Sequence, residues 1–295
     1  MAAVRIGEGR ADVRRRSIAG RKITNGIVTV IAGSAAVVGL LVLLWILAVV
    51  AHKGLAAIDW SFFTKVPTPP GESGGGLANA IVGTLIITAL ATAMGVPVGI
   101  LAGTYLAEFS RDSRLAAAIR YCANILMGAP SIVIGVFVYT FLVVPVGHFS
   151  GLAGSVALAV IMLPVVTRTT EDMLRLVPNS LRESALALGA PEHKMIFQIT
   201  IRAAKGGLLT GVMLSVARVS GETAPLLFTT LNSPYWSTAI DKPMANLTVT
   251  IFNYAMSPYA DWQAKAWGAS LLITAGVLFL NLTARLLARE RSVRR

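Results

Sequence analysis

Apolar positions along this chain gather into six long runs, separated by polar stretches, with neither strict alternation nor a single helical stripe. The runs cover residues 26–50, 78–107, 119–144, 151–167, 207–228 and 266–287. At about 1.5 Å of rise per helical residue, every run except the fourth clears a hydrocarbon core of about 30 Å. The fourth is marginal and needs residues borrowed at its ends. Backbone polar groups in lipid must be satisfied within the segment, and the alternation of a membrane barrel is absent. The pattern therefore predicts an all-α integral membrane protein with six spans over residues 26–287. The first run is too long for a signal-peptide core and reads as an uncleaved anchor.

The polar stretch 170–206 is the sizeable connection that writes out a helix with both ends marked. Ser180 with Glu183 has the spacing of a capping box. Gly189 supplies a left-handed C-terminal turn, and Pro191, unable to continue the helix, starts the next one. A two-turn helix with small, apolar and charged faces, set beside the membrane, is suited to being gripped by another protein.

Charge orients the runs. The net charge is +12, from 26 Lys and Arg against 14 Asp and Glu. Arginine and lysine crowd the N-terminal tail 1–25, the connection carrying Arg111, Arg114 and Arg120, the connection 170–206, and the tail 288–295. The other connections hold Lys53, Lys65, Lys242 and Lys265. The positive-inside rule then puts both tails and the 170–206 loop in the cytoplasm. The same rule, with anionic lipid headgroups, accounts for the excess charge without nucleic acid. A mean hydropathy of +0.70 agrees with a membrane class.

Interior prolines separate the middle runs from the outer two. Pro97, Pro130, Pro164 and Pro225 lie well inside runs two to five, where each deletes one helical hydrogen bond and favours a bend. Gly95, Gly99, Gly103, Gly128 and Gly135 permit close helix approach. These features predict a tightly packed, bendable core with the outer runs as lipid-facing wrappers.

The fifth run carries Arg218 about eleven residues in, near mid-membrane, and Glu222 one turn further. At this spacing the two share a face with Gly211 and Ser215. A charge at such depth is costly, so it faces a bundle interior or water. The pair reads either as an anion pathway or as an internal ion pair that neutralises itself. Guanidinium suits oxyanions through its planar fork. Arg168, flanked by Thr167, Thr169 and Thr170, is a second anion-friendly position, or an ordinary positive-inside arginine. The 223–265 connection is rich in aromatics, including Tyr235, Trp236, Phe252, Tyr254, Tyr259 and Trp262, and residues 243–254 are expected as a short helix on the membrane surface.

Several chemistries lack their motifs. There is no G-x-x-x-x-G-K-[ST] phosphate loop, so ATP is not bound here in that manner. His52, His148 and His193 have no metal-ligand spacing. Cys122 is the sole cysteine, which leaves no internal disulfide and no CxxC metal site. The chain reads as non-catalytic and without a cofactor of its own.

Glu183-Ser184-Ala185 followed by Gly189, with Ile199 ten residues beyond, resembles the EAA loop of ABC-importer permeases. Ser184 replaces the usual alanine, and Ile201-Arg202 stands where Leu-Pro is typical. Residues 74–84 (GGGLANAIVGT), 129–135 (APSIVIG), 163–172 (LPVVTRTTED) and 221–228 (GETAPLLF) resemble the PstA-type phosphate permeases. The likeness runs from Gly54 to Leu280. It implies a MetI-like, type I importer domain of six helices in a prokaryotic cell membrane. It also implies a PstC-type sister permease, two PstB-type ATPase subunits that bind Mg·ATP, and a PstS-type binding protein that delivers inorganic phosphate. The Glu183, Ala185 and Gly189 helix would be the ATPase coupling helix, and Arg218, Glu222 and Arg168 would handle charge along the route. Permeases for sulfate, molybdate or phosphonate, and a self-sufficient secondary transporter, are the competing readings.

Overall fold

The structure is a computed structural model that describes residues 4–110 and 113–293, with side chains described over 20–110 and 113–286. Arg111 and most of the arginines of the two tails thus lie outside the described side chains. The chain divides into a first compact unit, 1–52, and a second, 53–295. The first unit is one helix, α1 (Val4–Ala57), which runs on into the second. Its residues 20–46, which include most of the first apolar run, are exposed throughout.

The second unit holds the remaining elements. A short α2 (Trp60–Thr64) leads through a glycine-rich loop to α3 (Ala78–Thr104), which widens into a π turn over Tyr105–Phe109. Then come α4 (Arg114–Gly128) and α5 (Ser131–Val138), followed by a second π turn, Tyr139–Val143, and α6 (Val144–Val146). The long α7 (Gly151–Arg175) precedes α8 (Asn179–Ala187). A third π turn, Met195–Thr200, joins α9 (Glu192–Lys194) to α10 (Ile201–Val219). The chain ends with α11 (Ala224–Thr229), α12 (Leu247–Ala255) and α13 (Ala260–Val293).

Among the described residues five helices are long and apolar enough to cross a membrane, and a sixth is reached if α4 and the α5–α6 segment, which meet at 107°, count as one span. The marginal fourth run is lengthened as its composition demands: α7 continues eight residues past Thr167, and 67% of its most apolar stretch is buried. Helix likewise resumes at Glu192, so the loop expected over 170–206 shrinks to residues 176–191 around α8.

The centre of the unit is the α3–α7 seam. Gly95, Gly99 and Gly103 lie at four-residue spacing along it. A Cβ built on Gly99 would stand 2.8 Å from the Val166 side chain, and one on Gly103 would stand 2.6 Å from Thr170 Cβ. Around the seam Ile87, Ala91, Leu158, Met162, Val166, Val219 and Leu226 form the main core. Pro97 and Pro164 are both accommodated inside unbroken helices.

At the other two prolines the helix is interrupted rather than kinked. Pro130 stands in the two-residue break where α4 and α5 meet at 107°. The helix stops at Gly128, and Pro130 is the N-cap of α5. Pro225 is not interior either, because α10 ends at Val219 and Pro225 stands in the first turn of α11. Proline has no N–H to give and needs none at a helix start, so a break there leaves no lost bond. Gly128 has open space around its Cβ position, so it serves no close approach. Gly135 does: its Cβ would meet the Pro225 backbone at 2.6 Å, which docks α5 against α11.

The expected surface helix forms as α12, but Leu247, Thr248, Val249, Thr250 and Tyr254 are buried. Asn246 caps it by accepting from Val249 N–H at 2.9 Å and donates to Thr230 Oγ1 at 3.1 Å. Tyr254 stacks on Trp262 with centroids 4.3 Å apart. The helix can be tucked into the fold because Leu247 and Val249 are apolar and the buried hydroxyls of Thr248 and Thr250 donate to Glu222 O at 2.9 Å and Asn246 O at 2.7 Å.

Candidate functional site

Three places in the second unit hold the predicted coupling and pathway residues. The first is α8. The helix begins two residues earlier than the capping-box reading requires: Pro178, not Ser180, is the N-cap and makes no side-chain bond. Ser180 is the second helical residue, and its carbonyl accepts from Ser184 Oγ at 2.7 Å. The C-terminus agrees with expectation. Gly189 has φ +81°, its N–H donates to Leu186 O at 2.9 Å, and Ala190 N–H donates to Ala185 O at 3.1 Å. That pair of bonds is a Schellman motif. Pro191 then caps the next helix.

The faces of α8 divide cleanly. Ala185 is buried against Met195 and Ile196 of the third π turn. Glu183 and Gly189 are exposed, and Leu188 is 89% exposed at the tip. Arg182 faces inward, with its charge engaged. Its Nε and Nη2 donate to the two carboxylate oxygens of Glu108 at 3.0 and 2.6 Å. Neither residue stands out in the sequence pattern. The available signal was Glu108 itself, a lone acid closing an apolar run at a basic end.

The second place lies at the same basic end, on α7. Glu171, 1% exposed, accepts from Arg120 Nε at 2.8 Å and pairs with Arg175 at 2.7 Å and Arg168 at 3.6 Å. Arg168 also reaches Asp172 at 3.3 Å. Arg168 is thus a half-open guanidinium partly compensated by two carboxylates. The adjoining cleft, of about 1590 Å³, runs between α7, α8 and α10 and is lined by Thr169, Met173, Leu181, Ser184, Arg202 and Thr210 among others.

The third place is the break in the fifth span. A Cβ on Gly207 would meet Met173, and one on Gly211 would meet Thr169, so α7 and α10 run antiparallel with residue numbers at one level summing to 380. Arg218 therefore stands level with Met162, near the middle of α7. It is exposed, in the last turn of α10, while Gly211 and Ser215 are buried; the single face expected for these residues is divided. Residues 220–223 follow as irregular backbone, braced by Thr248 Oγ1, which donates to Glu222 O at 2.9 Å. Among the described residues no carboxylate lies within 4.0 Å of Arg218, so it does not pair with Glu222. Arg168 lies at the level of residue 212, six positions before Arg218, or about 9 Å along the helix axis. The two arginines are stations at different depths rather than one cluster.

The family of binding-protein-dependent transport system inner membrane components matches residues 95–293. A phosphate transport system permease protein PstA from Yersinia pestis is 51% identical over 280 residues, 95% of each chain. The chain belongs to the PstA permease family. The probable PstA of the archaeon Methanocaldococcus jannaschii is 37% identical, covering 89% of this chain and 92% of its own. Among solved structures, an inward-facing MetNI methionine ABC transporter superposes with a TM-score of 0.56 at 20% identity, covering 72% of this chain and 92% of that one. That likeness shows the fold: this PstA-family chain is a multi-pass, all-α membrane protein with the MetI-like architecture of ABC-importer permeases.

Proposed function

We propose that this chain is the membrane-spanning permease subunit of an ATP-driven importer for inorganic phosphate, forming half of the translocation pathway and driven by a separate ATPase. The 51% identity over 95% of both chains to a phosphate transport permease carries the reading. In it, the chain pairs with a PstC-type sister permease, and two PstB-type subunits bind and hydrolyse Mg·ATP. A PstS-type protein delivers phosphate, and both termini are cytoplasmic in a prokaryotic cell membrane.

The geometry supports a division of labour. Glu183, Gly189 and the protruding Leu188 offer α8 to an ATPase groove, while Ala185 seats the helix on its own permease. A broken helix at mid-depth is where membrane transporters tolerate irregular backbone, because it lines a cavity rather than lipid. Arg218 there takes a phosphate oxyanion by bidentate hydrogen bonding, and Glu222 nearby keeps that hold weak. Phosphate then passes towards Arg168, whose pairing with Glu171 and Asp172 likewise prevents a deep cationic well.

The test is labelled phosphate uptake by proteoliposomes that hold the assembled transporter. Arsenate should compete and sulfate should not; suppression by sulfate alone overturns the substrate assignment. Arg218→Ala should cut uptake at least about tenfold with the complex still assembled, since a desolvated charge-assisted contact is lost. Gly189→Arg should abolish copurification of the ATPase subunits.

A further inference from the structure

The coupling helix α8 is bound covalently to the fourth and fifth spans through short links, and it has no such link to the second. A buried ion pair joins it to the end of that span. Glu108 and Arg182, 74 positions apart, have side chains only 4% and 9% exposed. The guanidinium does more than neutralise the carboxylate. Nη1 donates to Val177 O at 2.6 Å, just beyond the C-terminus of α7, and Nη2 adds a second donor at 2.8 Å to Leu174 O, which already accepts from Val177 N–H at 3.1 Å. Nη1 also reaches Asn179 Oδ1 at 3.3 Å. One planar group thus ties three elements at a point: the end of the second span, the end of the fourth, and the coupling helix.

A structural role alone explains this poorly. Desolvation offsets most of what a buried ion pair gains, and α8 is already seated through Ala185 on Met195 and Ile196. What an apolar contact cannot supply is direction. Two parallel N–H···O bonds fix the orientation of the carboxylate as well as its distance. Both attachments of α8, at Glu108 and at Met195–Ile196, fall in π turns. Such turns recur at functional sites in membrane and soluble helices.

We infer that Glu108 and Arg182 form a transmission joint: the closed pair passes displacement of the coupling helix to the second and fourth spans together. Both are positioning residues, remote from Arg218 and from any nucleotide. The inference rests on the coupling-helix reading above.

The experiment uses the whole transporter, purified through this permease and reconstituted with the binding protein. Arg182→Lys, which keeps the charge and loses the fork, and Glu108→Gln should both copurify the ATPase subunits at wild-type ratio and still hydrolyse ATP. Phosphate carried per ATP should fall about tenfold or more, as expected when a buried pair is broken without its surroundings. A wild-type ratio of phosphate to ATP in either variant overturns the joint. So does uptake that falls only with the amount of folded complex. A second arm replaces Glu108 and Arg182 with cysteine in a Cys122→Ser background and bridges them with a short bis-methanethiosulfonate. The bridged transporter should recover phosphate per ATP over the unbridged one; a bridged transporter that is inactive means the pair must open, and the joint falls. Retained ATPase binding in Gly189→Arg is a separate result, which defeats the coupling-helix reading itself.

Discussion

The second and fourth spans contain prolines and stay whole, whereas the third and fifth contain prolines and break. The difference lies in what the neighbouring helix offers. α3 and α7 meet along Gly95, Gly99 and Gly103, where backbone approaches backbone and side chain, and both helices continue unbroken through Pro97 and Pro164. Pro130 and Pro225 follow Gly128 and the Ser220–Gly221 pair, and no comparable seam carries the helix across those points. Instead the second halves, α5 and α11, dock on each other through Gly135 and Pro225. Ala129 and Val219, one at each break, pack on the same core. The fold thus pairs one rigid couple of spans with one jointed couple.

The largest expected effect comes from spoiling the rigid couple. Gly103→Leu drives a side chain into Thr167 and Thr170, where even a Cβ stands 2.6 Å from Thr170 Cβ. Overpacking costs about 1–3 kcal/mol or more, so the permease should largely disappear from membrane fractions on quantitative immunoblots. A level equal to wild type would show the seam to be looser than its geometry. An intermediate effect separates the two kinds of proline. Pro164→Ala returns an N–H donor to a continuous helix and should stabilise the protein by about 0.5–1.5 kcal/mol for one hydrogen bond, read as a higher melting temperature in detergent. Pro130→Ala adds a donor where no helical acceptor waits and frees the unfolded chain, so it should lower stability slightly. Equal shifts of one sign would erase the distinction between whole and broken spans.

The smallest effect concerns α12, which braces the fifth-span break through Thr248. Burial, then the Asp261 charge, pushes the Tyr254 hydroxyl up from 10.0 to about 12. The neutral phenol is favoured in the folded state, so its contribution is complete below pH 10 and is lost as pH rises towards 12. Thermal melts should show this alkaline decline, and Tyr254→Phe should flatten it.

Much of this architecture was legible in the residue pattern. Hydropathy summed over some twenty residues locates a span whatever its neighbours do, so the runs and the short fourth one were readable. Gly189 announced its turn because few residues tolerate φ +81°. The breaks were not readable, since Val-Pro at 96–97 and Ala-Pro at 129–130 differ less in sequence than in what packs beside them. The capping box failed because Val177-Pro178 already started the helix before Ser180 could cap it. Arg182 and Glu171 were hidden for a related reason: by count they are ordinary loop charges, and only the third dimension brings their partners 74 and 51 positions away into reach.

The glycine seam has one more property. A contact made largely by backbone has few rotamers to rearrange, so little side-chain entropy is spent in forming it and little slack remains within it. With its π turn, the second span runs 32 residues, about 48 Å from end to end. At one end Glu108 is gripped; at the other, Thr84 Oγ1 accepts from Leu247 N–H at 2.8 Å and so holds the start of α12. With the joint inferred above, this helix, stiffened along its length by the fourth span, would act as a push rod that carries a thrust from its basic end to the far loop with little lost to compression on the way.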